Sequence, residues 1–448
     1  MVGPGVTRVS SRRGGIVAPW MLPFCIAVAC FSTRVAVMPA TAAKPAVMSA
    51  TAARPAGPLP FAAEEVDSVV NGLKALAGPE VAASLDWEAL RALYAESAHK
   101  SHKDWPTTEA AADTLAKIIG APDCGPFSKI FSRVLSDGNF GAAQEAAAAR
   151  PSDRRPWIVL VTGVNGIRKT TSVHQPWFKA CLAQALAGQF DGPCDALPDG
   201  GDSFFRQLDY MIATLAVESF RALYEQDEVA PYAEEKAAIF GRMRTPAEQL
   251  GILLVKDAQR KGMNVMVETS GRDIGMFEYI DHLFPDGATE YRKMVVHFSI
   301  NELGFAERSV DARMLREMGD GRAAIAALAT QAAETSSGVK RKAAADAAEA
   351  AGAAEAMAGV VKANAGGPYG SAVLRGVQAD SEAVWSKVSR GGAGEVGGSW
   401  LKACIAIEAR ELEEGGWTAR AMPADPAAAA SAEAYAFGPP PRPPQGSS

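Results

Sequence analysis

Patterned cysteine is what this chain most plainly lacks. Six cysteines, Cys25, Cys30, Cys124, Cys181, Cys194 and Cys404, stand among 448 residues with no CxxC pair and no regular spacing. Neither a zinc site nor a disulfide framework is signalled, and the six read as free thiols in a reducing compartment. A basic surplus is also missing. Net charge is −6, and because six of the 45 bases precede the first acid, Glu64, the body downstream sets 39 bases against 51 acids. A surface of that sign does not neutralise phosphates, which argues against nucleic acid or an anionic membrane as a partner. Long apolar runs are absent too: "GIVAPWMLPFCIAVACF" is short and broken by proline, so no membrane span is expected in the mature protein. Histidine is scarce, five in all, and His174 and His297 have no visible partner, so neither is given a role.

What is present begins with a leader. Arg12 and Arg13 precede that apolar run, which suits a signal-peptide core with "AVA" as a small-residue cleavage site before Cys30. The acid-free, Ala- and Ser/Thr-bearing stretch that follows, up to residue 63, has transit-peptide composition. Together they resemble the bipartite leaders of plastid-targeted proteins. A mitochondrial presequence is the alternative, and an untargeted disordered tail is the third reading.

Residues 64–150 place apolar residues three and four apart, with Gly, Pro and Asp between the runs. This predicts a small helical module that either binds a partner protein or extends the next domain. A core follows over 151–321. Its strands are "PWIVLVTG", "NVMVETS" and "RKMVVHFSI", and helical patterns cover 203–224, 245–262, "MFEYIDHLF" and 302–318. Such alternation predicts an α/β fold with a P-loop NTPase-type parallel sheet and helices on both faces, preceded by the all-helical module. Residues 322–364 collapse into Ala, Glu, Lys and Gln and read as a solvated helix or disordered insertion, a poor core builder. The core resumes over 365–424 with the late strand "ACIAIEA", and 425–448 reads as a disordered Pro-rich tail.

The segment "VTGVNGIRKTT", residues 161–171, fits the phosphate-loop pattern G-x-x-x-x-G-K-[ST] with one departure. Gly163 opens it, Val164, Asn165, Gly166 and Ile167 fill it, Lys169 and Thr170 close it, and Thr171 continues. Arg168 stands where the second glycine belongs. In such a loop consecutive amides curl around phosphate at a helix start, lysine bridges the terminal phosphates and threonine holds magnesium. An arginine in the glycine slot implies strain of about 1 kcal/mol if the backbone there is left-handed, or else an added guanidinium on the phosphates. Pro176 predicts that the helix after the loop breaks within one or two turns.

Two families share parts of this pattern. "GVNGIRKTT" with "ETSGR" at 268–272 resembles the signal recognition particle GTPases, which also carry a helical module in front, but their guanine-reading T-K-x-D motif is absent. The ordered set is similar to the zeta-toxin-like kinases. It comprises the loop, then "DSFFR" from Asp202, then "NVMVETSGR" with Glu268 and Ser270, then Arg308, Arg313 and Arg316, and it covers about 155–320. That resemblance implies a kinase carrying the γ-phosphate of ATP or GTP, with Mg2+, to a hydroxyl of a small-molecule acceptor such as a nucleotide sugar. It gives Gly163 to Thr171 to the nucleotide, Thr170 to the metal, and Asp202 to the role of base. Lys169, Arg308 and Arg316 would neutralise the transferring phosphate, and Arg206, Glu268, Ser270 and Arg272 would face the acceptor. As a structural alternative, Asp202 would cap the helix it opens. A non-catalytic nucleotide-binding scaffold and a GTPase are the competing functions.

Overall fold

Trp157–Thr162 (β1) is buried along its whole length in the computed structural model of the chain, as a strand covered on both faces must be. Asn264–Glu268 (β3) and Arg292–Ile300 (β4) are nearly as buried and flank it in parallel, β3 on one side and β4 on the other. Ser203–Arg206 (β2) extends the sheet beyond β3, and Leu401–Ala409 (β5) extends it beyond β4, both parallel. Trp417–Ala421 (β6) and Ala434–Phe437 (β7) then add antiparallel, giving seven strands among the described residues, in the order β2-β3-β1-β4-β5-β6-β7. The protein is therefore α/β, with a mostly parallel sheet flanked by helices and a helical N-terminal part.

The structure describes residues 59–335, 342–364, 367–392, 394–409 and 416–438. The leader expected over 1–63 falls almost wholly outside them, as does the Pro-rich end from 439. Among the described residues no helix is long and apolar enough to cross a membrane.

Six helices open the described chain: Ala63–Ala82 (α1), Trp87–Ser97 (α2), Trp105–Ile119 (α3), Gly125–Ile130 (α4), Ser132–Asp137 (α5) and Phe140–Ala148 (α6). Asp86 and Asp104 accept from the amides of Ala89 and Thr107 and so cap α2 and α3, each worth about 1 kcal/mol. After β1 come Lys169–Val173 (α7) and Phe178–Ala185 (α8), separated where Pro176 and Trp177 interrupt the helical run, as the proline foretells. Leu208–Leu215 (α9), Val217–Leu223 (α10), Val229–Arg242 (α11) and Arg244–Arg260 (α12) lie between β2 and β3. Along α12 nearly every side chain from Thr245 to Val255 is buried. Its Gln249 donates to Ser97 Oγ at 2.8 Å and its Thr245 to the Lys100 carbonyl at 2.7 Å, joining the helical part to the sheet in one hydrophobic core. Gly275–Leu283 (α13), Leu303–Thr335 (α14), Lys342–Asn364 (α15), Ser371–Arg390 (α16) and Pro426–Ser431 (α17) complete the set.

Three expectations are corrected here. The helical pattern from 203 begins instead with β2. Phe204 and Phe205 point to opposite faces and both find cover, Phe204 against Phe140 with ring centroids 5.2 Å apart, while the Phe205 amide donates to the Gly138 carbonyl at 2.8 Å; aromatic residues in that setting favour a strand. The Ala-rich stretch is helical where described, as one of its two readings had it, and 322–331 is mostly exposed, but its later part is core. Ala353, Ala354, Met357, Ala358, Val360 and Val361 of α15 are buried, because small side chains let α15 close on α1, α9 and α14. Finally, β7 draws residues 434–437 of the expected tail into the sheet.

Candidate functional site

Strands β2 and β3 run on one side of β1 and β4 on the other, so the order reverses at β1. In parallel sheets ligands bind at that switch point, outside the carboxyl ends of the strands. The 163–171 loop leaves β1 at that edge. Gly163 has φ 129° and a Cβ there would lie 2.3 Å from the Phe298 carbonyl oxygen; Gly166 has φ 87° and would meet the Ala306 carbonyl at 2.8 Å. Both positions thus require glycine. Arg168 is left-handed at φ 66°, the conformation expected to strain it by about 1 kcal/mol.

Lys169 is buried, 3% exposed, and its Nζ donates to the carbonyls of Gly163 at 2.8 Å and Val164 at 3.1 Å. The same ammonium stands 3.4 Å from Glu268 Oε1, while Thr170 Oγ1 donates to Glu268 Oε2 at 2.7 Å. One carboxylate at the end of β3 is therefore shared between Lys169 and Thr170. Burial pulls the Lys169 ammonium below the ordinary lysine range, against the opposing attraction of Glu268. Beneath the loop, Thr162 Oγ1 meets His297 Nδ1 at 3.0 Å, and the imidazole stacks on Trp385 at 4.8 Å. Burial drives His297 down to about 4, so the ring is neutral at physiological pH.

The other expected site residues divide. Ser270 and Arg272 follow Glu268 on a turn that packs under the loop, where a Cβ on Gly271 would strike Thr162 Cβ at 2.7 Å. Arg272 is exposed, with its guanidinium 4.9 Å over the Tyr369 ring. Arg316 and Arg308 are exposed on α14, and Arg308 lies 4.5 Å over the Phe305 ring. Asp202 is elsewhere. Its carboxylate accepts from Lys179 Nζ at 2.7 Å, Asn264 Nδ2 at 3.0 Å and the Asp199 amide at 3.1 Å. Asn264 opens β3 and Glu268 ends it, a separation of ~13 Å along the strand, so Asp202 sits at the amino edge, away from the loop. It precedes a strand, so the helix-cap alternative fails as well. Arg206 ends β2 at the carboxyl edge, but its side chain is engaged elsewhere: it is wholly buried, ion-paired with buried Glu248, its guanidinium 5.0 Å over Tyr279.

Asp209 was not among the expected residues. It lies in the first turn of α9 just past the carboxyl end of β2, half-buried by surface area yet closely ringed by protein atoms. Desolvation pushes its carboxyl up to about 6, with Glu268 and Glu317 adding and Lys236 and Arg313 opposing. Behind it Lys236 and Glu317 form a fully buried ion pair at 2.7 Å. Arg313 faces the same group: burial lowers its pKa, Glu317 and Asp209 raise it, and its Nη2 reaches the Gly367 carbonyl at 3.5 Å. The only sequence signal for Asp209 is reading "SFFR" as a strand, which brings the carboxyl edge to 207–209. Comparison of the chain with protein-family models, curated proteins and solved structures finds no match. The site's chemistry has to be argued from its own residues.

Proposed function

We propose that the chain is a P-loop phosphotransferase, carrying the γ-phosphate of ATP or GTP to a hydroxyl of a small-molecule acceptor, in the manner of the zeta-toxin-like kinases it resembles. The supporting observation is the sharing of Glu268 between Lys169 and Thr170 beside a loop whose two glycines admit no side chain. Phosphoryl transfer needs positioning and charge neutralisation more than covalent help. Lys169 supplies a fixed cation, and release of its bonds to Gly163 and Val164 would turn it toward phosphate. The Thr170 hydroxyl and Glu268 carboxylate are hard oxygen donors of the kind Mg2+ takes alongside phosphate and water. That fit does not require three clustered acids, and no such cluster occurs among the described residues. Mg2+, when bound, would draw charge from the phosphate oxygens.

Asp209 replaces Asp202 as the proposed base. A carboxyl with a pKa of about 6 is ionised at neutral pH yet retains the proton affinity that a base acting on a hydroxyl needs. Arg313, on the same side, takes the neutralising role first expected of Arg308 and Arg316.

Titration of the full chain with ATP and with GTP, with and without Mg2+, tests the reading. Mg-dependent binding is expected, with Lys169→Ala weakening it by about 100-fold, the loss of one charge-assisted contact in a dry site. Binding that is indifferent to Lys169→Ala, or no binding at all, would overturn it and favour a non-catalytic scaffold. Binding of GTP alone would return the GTPase reading.

A further inference from the structure

Arg168 carries several unfavourable features at once. Its backbone is left-handed. Its Nε is buried with no hydrogen-bond partner. Among the described residues no carboxylate forms an ion pair with it, and the charges that act on it, Arg316 and Arg313, are of its own sign. A guanidinium stays protonated in such surroundings, so among the described residues a half-buried cation is left beside like charges. Groups of this kind are stable when an anion completes them.

The C-terminal part of the sheet is built around this departure from the loop pattern. Trp417 opens β6 opposite Ala409, the last residue of β5, and so stands on the same carboxyl edge as the loop. The Arg168 guanidinium lies 5.7 Å over its ring, and Phe305 meets that ring edge-on at 6.1 Å. A few residues further on, Trp177, which follows the helix-breaking Pro176, is stacked on Tyr435 of β7 at 5.6 Å and touches Phe437 at 5.3 Å. The antiparallel strands β6 and β7 thus grip both places where 163–177 departs from an ordinary phosphate loop. An aromatic face attracts a guanidinium and fixes its plane, but it neutralises no charge.

We propose that Arg168 is a built-in arginine clamp for the outermost phosphate of a nucleoside triphosphate, aimed by Trp417. This rests on the phosphotransferase reading and adds to it. Lys169, the next residue, would bridge the terminal phosphates. With Arg168 beside it, two cations would meet the end of the phosphate chain, where a triphosphate brings more negative charge than a diphosphate does. Arg168 then acts as a substrate-binding residue that discriminates by phosphate number, and Trp417 as its positioning residue.

Affinities for MgATP and MgADP, measured by calorimetry on the full chain, test the clamp. The native chain is expected to prefer ATP, and Arg168→Gly to lose about tenfold of that preference, as befits one charge-assisted contact, although it restores the consensus glycine and relieves the backbone. Trp417→Leu should lose part of the preference with the arginine intact, and Arg168→Lys should keep part of it. Equal or tighter ATP binding by Arg168→Gly overturns the clamp and makes Arg168 an obstruction. If Lys169→Ala abolishes binding while Arg168→Gly leaves the ATP-to-ADP ratio unchanged, the clamp fails and the phosphotransferase reading stands. If the native chain binds neither nucleotide, both fall.

Discussion

Replacing Asp209 by asparagine should make the protein more stable at neutral pH, although asparagine removes a charge from beside Lys236 and Arg313. Burial raises the Asp209 carboxyl from an ordinary 3.8 to about 6. The unfolded chain therefore releases its proton before the folded chain does. Between those two pH values the folded state binds more protons than the unfolded state, so stability falls as pH rises and stays reduced above about 6. At ~1.4 kcal/mol for each tenfold change in proton affinity the penalty is bounded at about 3 kcal/mol. Solvent screening of a half-buried group leaves roughly 1–2 kcal/mol. Asparagine keeps the shape and does not titrate. Urea unfolding of native and Asp209→Asn chains at pH 5 and pH 8 measures the effect: the variant's advantage should roughly double between the two. A variant less stable than the native chain at pH 8 would refute the desolvation argument, since it would mean that Lys236 and Arg313 hold the carboxylate more strongly than burial opposes it. The base assigned to Asp209 would then lose its physical support.

The remaining predictions concern residues the fold relocates. Asp202→Asn should leave MgATP affinity unchanged while costing about 1 kcal/mol in urea unfolding from its half-buried contact with Lys179; a large loss of nucleotide binding would return Asp202 to the site. Met357→Ala, in the Ala-rich helix, should destabilise by about 2–4 kcal/mol as a cavity-forming core change, and a change near zero would mean that α15 is as loosely held as its composition suggests.

Much of the site's scaffold is written in local sequence. The apolar runs of β1, β3, β4 and β5 leave little choice but buried parallel strands, and alternation with helices brings their carboxyl ends to one edge. Gly163, Gly166, Lys169 and Thr170 take their places through offsets along a single loop, and Pro176 stops the helix by removing a donor. Those features depend on covalent neighbours. What decided Asp202 and Asp209 was which end of β2 each occupies, and what decided Arg206 was its burial against Glu248; "DSFFR" alone does not say whether it starts a helix or a strand. Pairing with β3, and the cover that Phe140 and the Gly138 carbonyl give Phe204 and Phe205, make it a strand.

The sequence by itself determined the sheet's central strands, the backbone shape of the glycine loop and the break after it, because each follows from steric rules acting over a few consecutive residues. Tertiary structure alone decided that an alanine-rich helix belongs to the core, that Glu268 is shared between Lys169 and Thr170, and that Trp417 lies against Arg168. Burial, desolvation and ion pairing are properties of surroundings, and these surroundings come from residues tens to hundreds of positions away along the chain.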